Sequence, residues 1–257
     1  MESGLHIKLA AEQLGSVWGI PITNTLLTSW VVIALLIAAG YFIGRRLSLV
    51  PNKVQNAFEM LFEFVLKYME ETLGSRTLAV RFFPLIVTLF LFIFTANLFE
   101  FLPFMEALRI TVHGESVPLL RSVNTDLNMT LALALIVFLT IEMTGVVVLG
   151  FLKYWRKFVN LRGGVLGFII GLIEFVSNLA RLISFSFRLF GNIFAGGILI
   201  AVALAFVPLL LPVPIILFET FVGLIQAAIF ALLTLAFIKI AITPEHQDKK
   251  YQVPNIK

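Results

Sequence analysis

Apolar residues in this chain fall in long unbroken runs, far longer than one buried strand or one helical stripe requires. Leu26–Ile43 is the first, close to the ~20 residues that a bilayer requires, and Arg45, Arg46 and Lys53 follow it. Over Lys53–Leu73 the pattern changes. Val54, Phe58, Leu61, Phe62, Val65 and Met69 share one helical face, while Glu59, Glu63, Lys67 and Glu70 lie off it. This predicts an amphipathic helix lying on the membrane surface rather than crossing it. A second span covers Phe82–Leu102 and closes at Pro103; a third begins near Leu127 and ends before Lys153, Arg156 and Lys157. Phe104–Asp126 reads as a loop with His113, Glu115 and Asp126 but few basic residues.

Two longer runs follow, Leu166–Val207 and Pro212–Ile242, divided at the Pro212/Pro214 pair. As straight helices of ~1.5 Å per residue they would measure about 63 and 46 Å, and a ~30 Å hydrocarbon core holds neither upright. Each is either two short spans or one strongly tilted helix. No helix breaker divides Leu166–Val207, although Gly191, Gly196 and Gly197 could bend it, so two long tilted helices in a hairpin are favoured. The prediction is an all-α polytopic membrane protein. It has about five membrane-embedded helices and one interfacial helix, with the last two spans forming the tilted hairpin. Residues 1–25 form an N-terminal extramembrane segment, 26–163 the first three spans, 164–243 the hairpin and 244–257 a cytoplasmic tail.

Composition agrees. The chain is 60% hydrophobic and 13% charged over 257 residues, with a mean hydropathy of +1.01, whereas soluble domains are about half apolar and a quarter charged. The absence of cysteine excludes disulfides, thiol catalysis and thiolate metal sites. The net charge of +4 reads as basic cytoplasmic loops rather than a nucleic-acid surface. Five crossings with the N-terminus outside put Arg45–Arg81, Lys153–Arg162 and Lys249–Lys250 all on the cytoplasmic side. Met1–Pro21 lacks the basic-then-apolar order of a cleavable signal.

The candidate chemistry lies inside the apolar runs. Glu174, Ser177, Asn178, Arg181, Ser184, Arg188 and Asn192 follow one another at spacings of three and four, which places them on one helical face. Gly191, Gly196 and Gly197 lie close to that face and permit near approach of another helix. On the second long run Glu219 and Gln226 share a face, with Gly223 between them. A charge at the bilayer centre costs at least ~2.5–3.5 kcal/mol. Ordinary explanations exist for single residues: Ser and Asn bond back to the backbone, Glu174 and Arg181 pair, Glu100 and Lys239 reach to the interface. Glu142 either does the same, the preferred reading, or joins a path. The whole set, of mixed sign, on two helices and ending in glycines, reads instead as an intramembrane ion path.

"SFRLFGN" and "AGG", followed downstream by "LIQAAIFALLTLAFI" and "PEH", resemble subunit a of F-type ATP synthase. "PITNTLLTSW", "LFIFTANLFEFLP" and "NTDLNMTLALAL" resemble it more weakly, and the order holds from Pro21 to His246. The resemblance implies that Arg188 is the family's indispensable arginine, with Asn192 and Gln226 as its polar companions. It assigns Glu174, Ser177 and Arg181 to the cytoplasmic exit, and Asp126 and Asn128 to the outer end where protons come in. Many members carry a carboxylate at the position of Gly197 and His or Gly at that of Glu219. The resemblance thus implies that the carboxylate has moved to the facing helix, where a group at either site could occupy the same volume, and it assigns the entry-side carboxylate to Glu219.

The implied partners are a ring of c subunits facing Arg188, peripheral-stalk b subunits, the remainder of the ATP synthase and membrane lipid, with no nucleic acid, cofactor or metal. The surface helix at 53–73 and the loop around Lys153–Lys157 are the expected stalk contacts. The implied function is proton translocation without bond chemistry, in keeping with the lack of a P-loop motif; a sodium-translocating version of the same subunit is the alternative. A secondary transporter would show an internal repeat with matching broken helices, and none is found. An intramembrane hydrolase would need His or paired Asp inside the spans, yet His6, His113 and His246 lie outside them and neither long run holds Asp. The expected location is a bacterial plasma membrane, although organelle-encoded chains would look similar.

Overall fold

The computed structural model describes residues 11–243, except for 103, 104, 106, 107, 113, 159–163 and 209. The predicted tail at 244–257, His6, His113, His246, Pro103 and Arg162 lie outside the described residues.

Among the described residues there are seven α-helices: α1 (Asn24–Gly44), α2 (Lys53–Leu73), α3 (Arg76–Glu100), α4 (Leu127–Leu149), α5 (Phe151–Phe158), α6 (Gly164–Phe206) and α7 (Pro212–Ile242). Five of them, all but α2 and α5, are long and apolar enough to cross a membrane. Capping fixes several starts. The Thr23 hydroxyl accepts from the Leu26 N–H, Asn52 from Gln55, and Asp126 from Asn128, each relieving an orphan donor of a first turn. Proline at the first position begins α7, where its missing N–H costs nothing.

Two short antiparallel hairpins were not expected from the sequence: β1 (Gln13–Val17) with β2 (Ile20–Thr23), and β3 (Arg109–Val112) with β4 (Glu115–Pro118). The first turns at Trp18 and Gly19, both at positive φ (54° and 81°), the two-residue turn that suits strand twist. The second falls within the predicted loop. Asn24, buried at the start of α1, joins the hairpins: its Oδ1 accepts from the Glu12 N–H and its Nδ2 donates to the Pro118 carbonyl.

α3 packs along α7 and α4 along α6. α7 buries Gly223, Ala227, Phe230, Ala231, Thr234, Leu235 and Ile238, a stripe at helical spacing. Phe185 of α6 meets Phe230 and Phe237 of α7 edge-on, at 4.7 and 5.5 Å between ring centres, an arrangement favoured by the ring quadrupoles. Outer faces are apolar and exposed, including Ile37, Val147, Phe187 and Phe221, as lipid contact requires. α6 is unbroken over 43 residues, so the alternative of two short spans is set aside. At ~1.5 Å per residue it is about 64 Å long and must cross obliquely or extend past the hydrocarbon core.

α2 keeps the predicted bounds. It buries Met69 and Leu73 against the bundle and leaves Val54, Phe58, Leu61 and Phe62 bare, an apolar face suited to the bilayer surface. It ends at Gly74 in the left-handed conformation (φ 72°). Lys239, expected to reach to the interface, donates from its Nζ to the Leu73 carbonyl at the end of α2 at 3.0 Å. The orphan carbonyl of a helix end attracts a cation, so α7 holds the end of α2.

Candidate functional site

The polar residues of α6 divide into two groups on either side of Arg188. The first lies towards α5. Arg181 Nη1 donates to Asn178 Oδ1 at 2.7 Å and its guanidinium lies 4.8 Å from the centre of the Phe237 ring, a cation–π contact. Asn178 Nδ2 in turn donates to Glu142 Oε1 at 3.3 Å, and the Tyr154 hydroxyl donates to Glu142 Oε2 at 2.6 Å. Glu142 is therefore tied both to the stripe, through Asn178, and to α5, through Tyr154. Glu174 and Ser177 are half-buried on the same stretch of α6.

The second group lies near the α3–α4 and α6–α7 connections. Glu219 is buried, at 7% exposure, against α6. A Cβ added to Gly196 would lie 2.5 Å from its Oε2, so the carboxylate rests where any larger residue would push it aside. Gly197 instead faces Glu100, with Oε1 3.1 Å from where a Cβ would stand. Glu219 thus occupies the space above Gly196, and a Cβ at 197 would stand beside Glu100. Glu100 also accepts from the Ser122 hydroxyl at 3.4 Å.

Around these carboxylates runs a set of buried polar contacts. Asn97 Nδ2 donates to the Gly223 carbonyl at 3.0 Å and its Oδ1 accepts from Asn124 at 2.6 Å. Asp126 caps α4 and accepts from the Thr25 hydroxyl at 2.9 Å. At the level of Arg188 on α6, the Thr130 and Ser186 hydroxyls pair at 3.1 Å. Asn128 contributes only its backbone N–H to this set; its side chain is exposed. Asn97 and Glu100 share one face of α3, and that spacing, present in "ANLFE", was the signal available for them.

Arg188 stands between the groups. It lies ten residues beyond Asn178 and eight before Gly196, about 15 and 12 Å along the helix. It is exposed on the outer surface and makes no hydrogen bond or ion pair among the described residues. Asn192 and Gln226 flank this stretch, and the Nδ2 of one and Nε2 of the other are buried without a partner among the described residues. Native folds rarely leave such donors unmet.

Residues 26–239 match the family described as ATP synthase A chain. Among similar curated proteins, "ATP synthase subunit a" of Moorella thermoacetica is 33% identical over 219 residues, 85% of this chain and 90% of the relative. The protein of the same name from Mycobacterium bovis is 36% identical over 230 residues, covering 88% and 89%. That of Campylobacter jejuni subsp. doylei is 36% identical over 194 residues, covering 76% and 79%.

Proposed function

We propose that this chain, which belongs to the ATP synthase A chain family, is the stator that carries protons through the membrane sector of a rotary ATP synthase. The observation that supports it most is the lone outward-facing guanidinium of Arg188, set between two polar clusters on one long membrane helix. Arginine does not lose its proton in proteins, so a proton cannot pass directly from one cluster to the other through it. It must leave on a carrier. A ring of c subunits, each with a buried carboxylate, supplies that carrier.

An opposite charge within a few ångströms favours the ionised carboxylate, while lipid favours the protonated one. A ring carboxylate beside Arg188 then gives up its proton, and one facing lipid retains it. The cluster of Asp126, Asn128, Glu219, Asn192 and Gln226 forms the inlet half-channel, open to the outside. The unmet amide donors of Asn192 and Gln226 are free to hold water or the incoming carboxylate. Glu174, Ser177 and Arg181 line the exit to the cytoplasm. A unit charge crossing 100 mV releases ~2.3 kcal/mol, which rotation delivers to the catalytic head. The chain itself makes and breaks no covalent bond. In this reading the N-terminus is outside, the protein lies in the bacterial plasma membrane, and α2 with α5 meets the b subunits of the peripheral stalk.

Arg188→Ala tests the proposal in inverted vesicles carrying the assembled synthase. Coupled ATP synthesis is expected to vanish, and Arg188→Lys to restore little, because a buried lysine loses its charge readily. A normal rate of synthesis in Arg188→Ala would overturn the mechanism. The same vesicles assayed with and without sodium identify the ion: a sodium requirement would replace the proton reading.

A further inference from the structure

Glu142 is the one carboxylate on α4, and it is fixed from two sides. The Tyr154 hydroxyl on α5 donates to one of its oxygens and Asn178 on α6 to the other. Tyr154 is 3% exposed and Asn178 5%. The tyrosine ring rests on Gly145, where a Cβ would overlap it, so a glycine one turn below Glu142 makes room for the hydroxyl's approach. Glu142, Asn178 and Arg181 line a cleft between α4, α6 and α7, walled by Ile141, Leu182 and Phe237. Burial, the bond to Glu142 and the negative charges of Glu142 and Glu174 hold the Tyr154 phenol above its ordinary value, with Arg181 opposing them. The hydroxyl therefore keeps its proton at neutral pH and stays a donor.

We propose that Glu142 is a further proton-accepting residue at the α5-side outlet of the ion path, and that Tyr154 is the positioning residue that aims it into the cleft. The inference rests on the reading of α6 as an ion path. As a carboxylate, Glu142 accepts both hydrogen bonds. When it takes a proton from hydronium in the cleft, leaving water, the protonated oxygen becomes a donor, so the bond it accepted must turn round or open while the other oxygen still accepts. Release of the proton to water at the α5 end restores both, so charge and protons balance over each passage.

The test uses the assembled synthase in vesicles, with pH set separately on each side and proton flux measured per assembled complex. Tyr154→Phe keeps the ring on Gly145 and removes only the hydroxyl; Glu142→Gln keeps the shape and removes the acid. A hydrogen bond to a charged group stabilises by enough to make a loss of flux of about tenfold to a hundredfold the expected result in each. The pH dependence should change on the α5 side alone, and Glu142→Asp should recover part of the flux. Normal flux with unaltered profiles on both sides would overturn the proposal. So would a loss accompanied by failed assembly in both variants and no recovery in Glu142→Asp, which marks a structural clamp. Arg188→Ala separates the two failures: normal synthesis there refutes the ion path itself, whereas its loss alongside normal Glu142→Gln flux refutes only the outlet.

Discussion

Gly196→Ala places one methyl group against the carboxylate of Glu219. The added Cβ would lie 2.5 Å from Oε2 and 2.7 Å from Cδ, whereas carbon contacts are at rest near ~3.5–4.0 Å. The carboxylate must therefore retreat by about 1 Å. It is the far end of a flexible side chain, so the backbone need not follow. Overpacking costs about 1–3 kcal/mol, and alanine's advantage over glycine inside a helix returns about 1 kcal/mol of it. Assembly should survive. Transport should not, because displacing an acting group by ~1 Å costs on the order of a hundredfold in rate. ATP-driven proton pumping, normalised to assembled complex, reads this directly. Gly40→Ala on the exposed face of α1, where a Cβ meets nothing within 4 Å, is the control and should pump normally. Glu219→Asp in the Gly196→Ala background shortens the side chain by one bond, about 1.5 Å, and should recover part of the pumping. Equal pumping by Gly196→Ala and Gly40→Ala would refute the argument that Glu219 acts from its seat above Gly196.

Asn97→Ala removes two buried interhelical contacts, to the Gly223 carbonyl and to Asn124. Interhelical hydrogen bonds in membranes are worth about 0.6–1.7 kcal/mol each, so a loss of roughly 1–3 kcal/mol is expected in thermal unfolding of the solubilised complex; an unchanged transition would show that these bonds contribute nothing. Lys239→Met retains the stem but leaves the Leu73 carbonyl without its cation. A charge at a helix C-terminus contributes up to about 1 kcal/mol, so amide exchange over 70–74 should quicken roughly fivefold, while exchange in mid-α7 stays as it was.

Much of the fold was legible because a bilayer leaves the chain few options. Spanning segments must satisfy their own backbone, so a run of apolar residues of sufficient length has to be a helix. α2 and α7 accordingly keep their predicted bounds, α1, α4 and α6 differ by a few residues at their ends, and α3 begins six residues before the predicted Phe82. The departures lie outside the apolar runs. β3 and β4 sit in a stretch too short and polar to announce itself, although its alternation and Gly114 were visible in "RITVHGESVP". α5 was taken for a basic loop.

The sequence alone determined which segments enter the membrane and which face of α6 is polar, since both follow from hydropathy and a 3.6-residue period. It did not determine what each polar face meets. A period sets the direction of a side chain around its own helix but carries no information on the register between helices. Tertiary packing decided that Glu219 lies on Gly196, that Glu100 turns towards Gly197, that Lys239 closes α2, and that Tyr154 reaches Glu142. These contacts join residues as much as 166 positions apart, and they form because a polar group held in lipid must find its partner on whichever helix the apolar packing brings alongside.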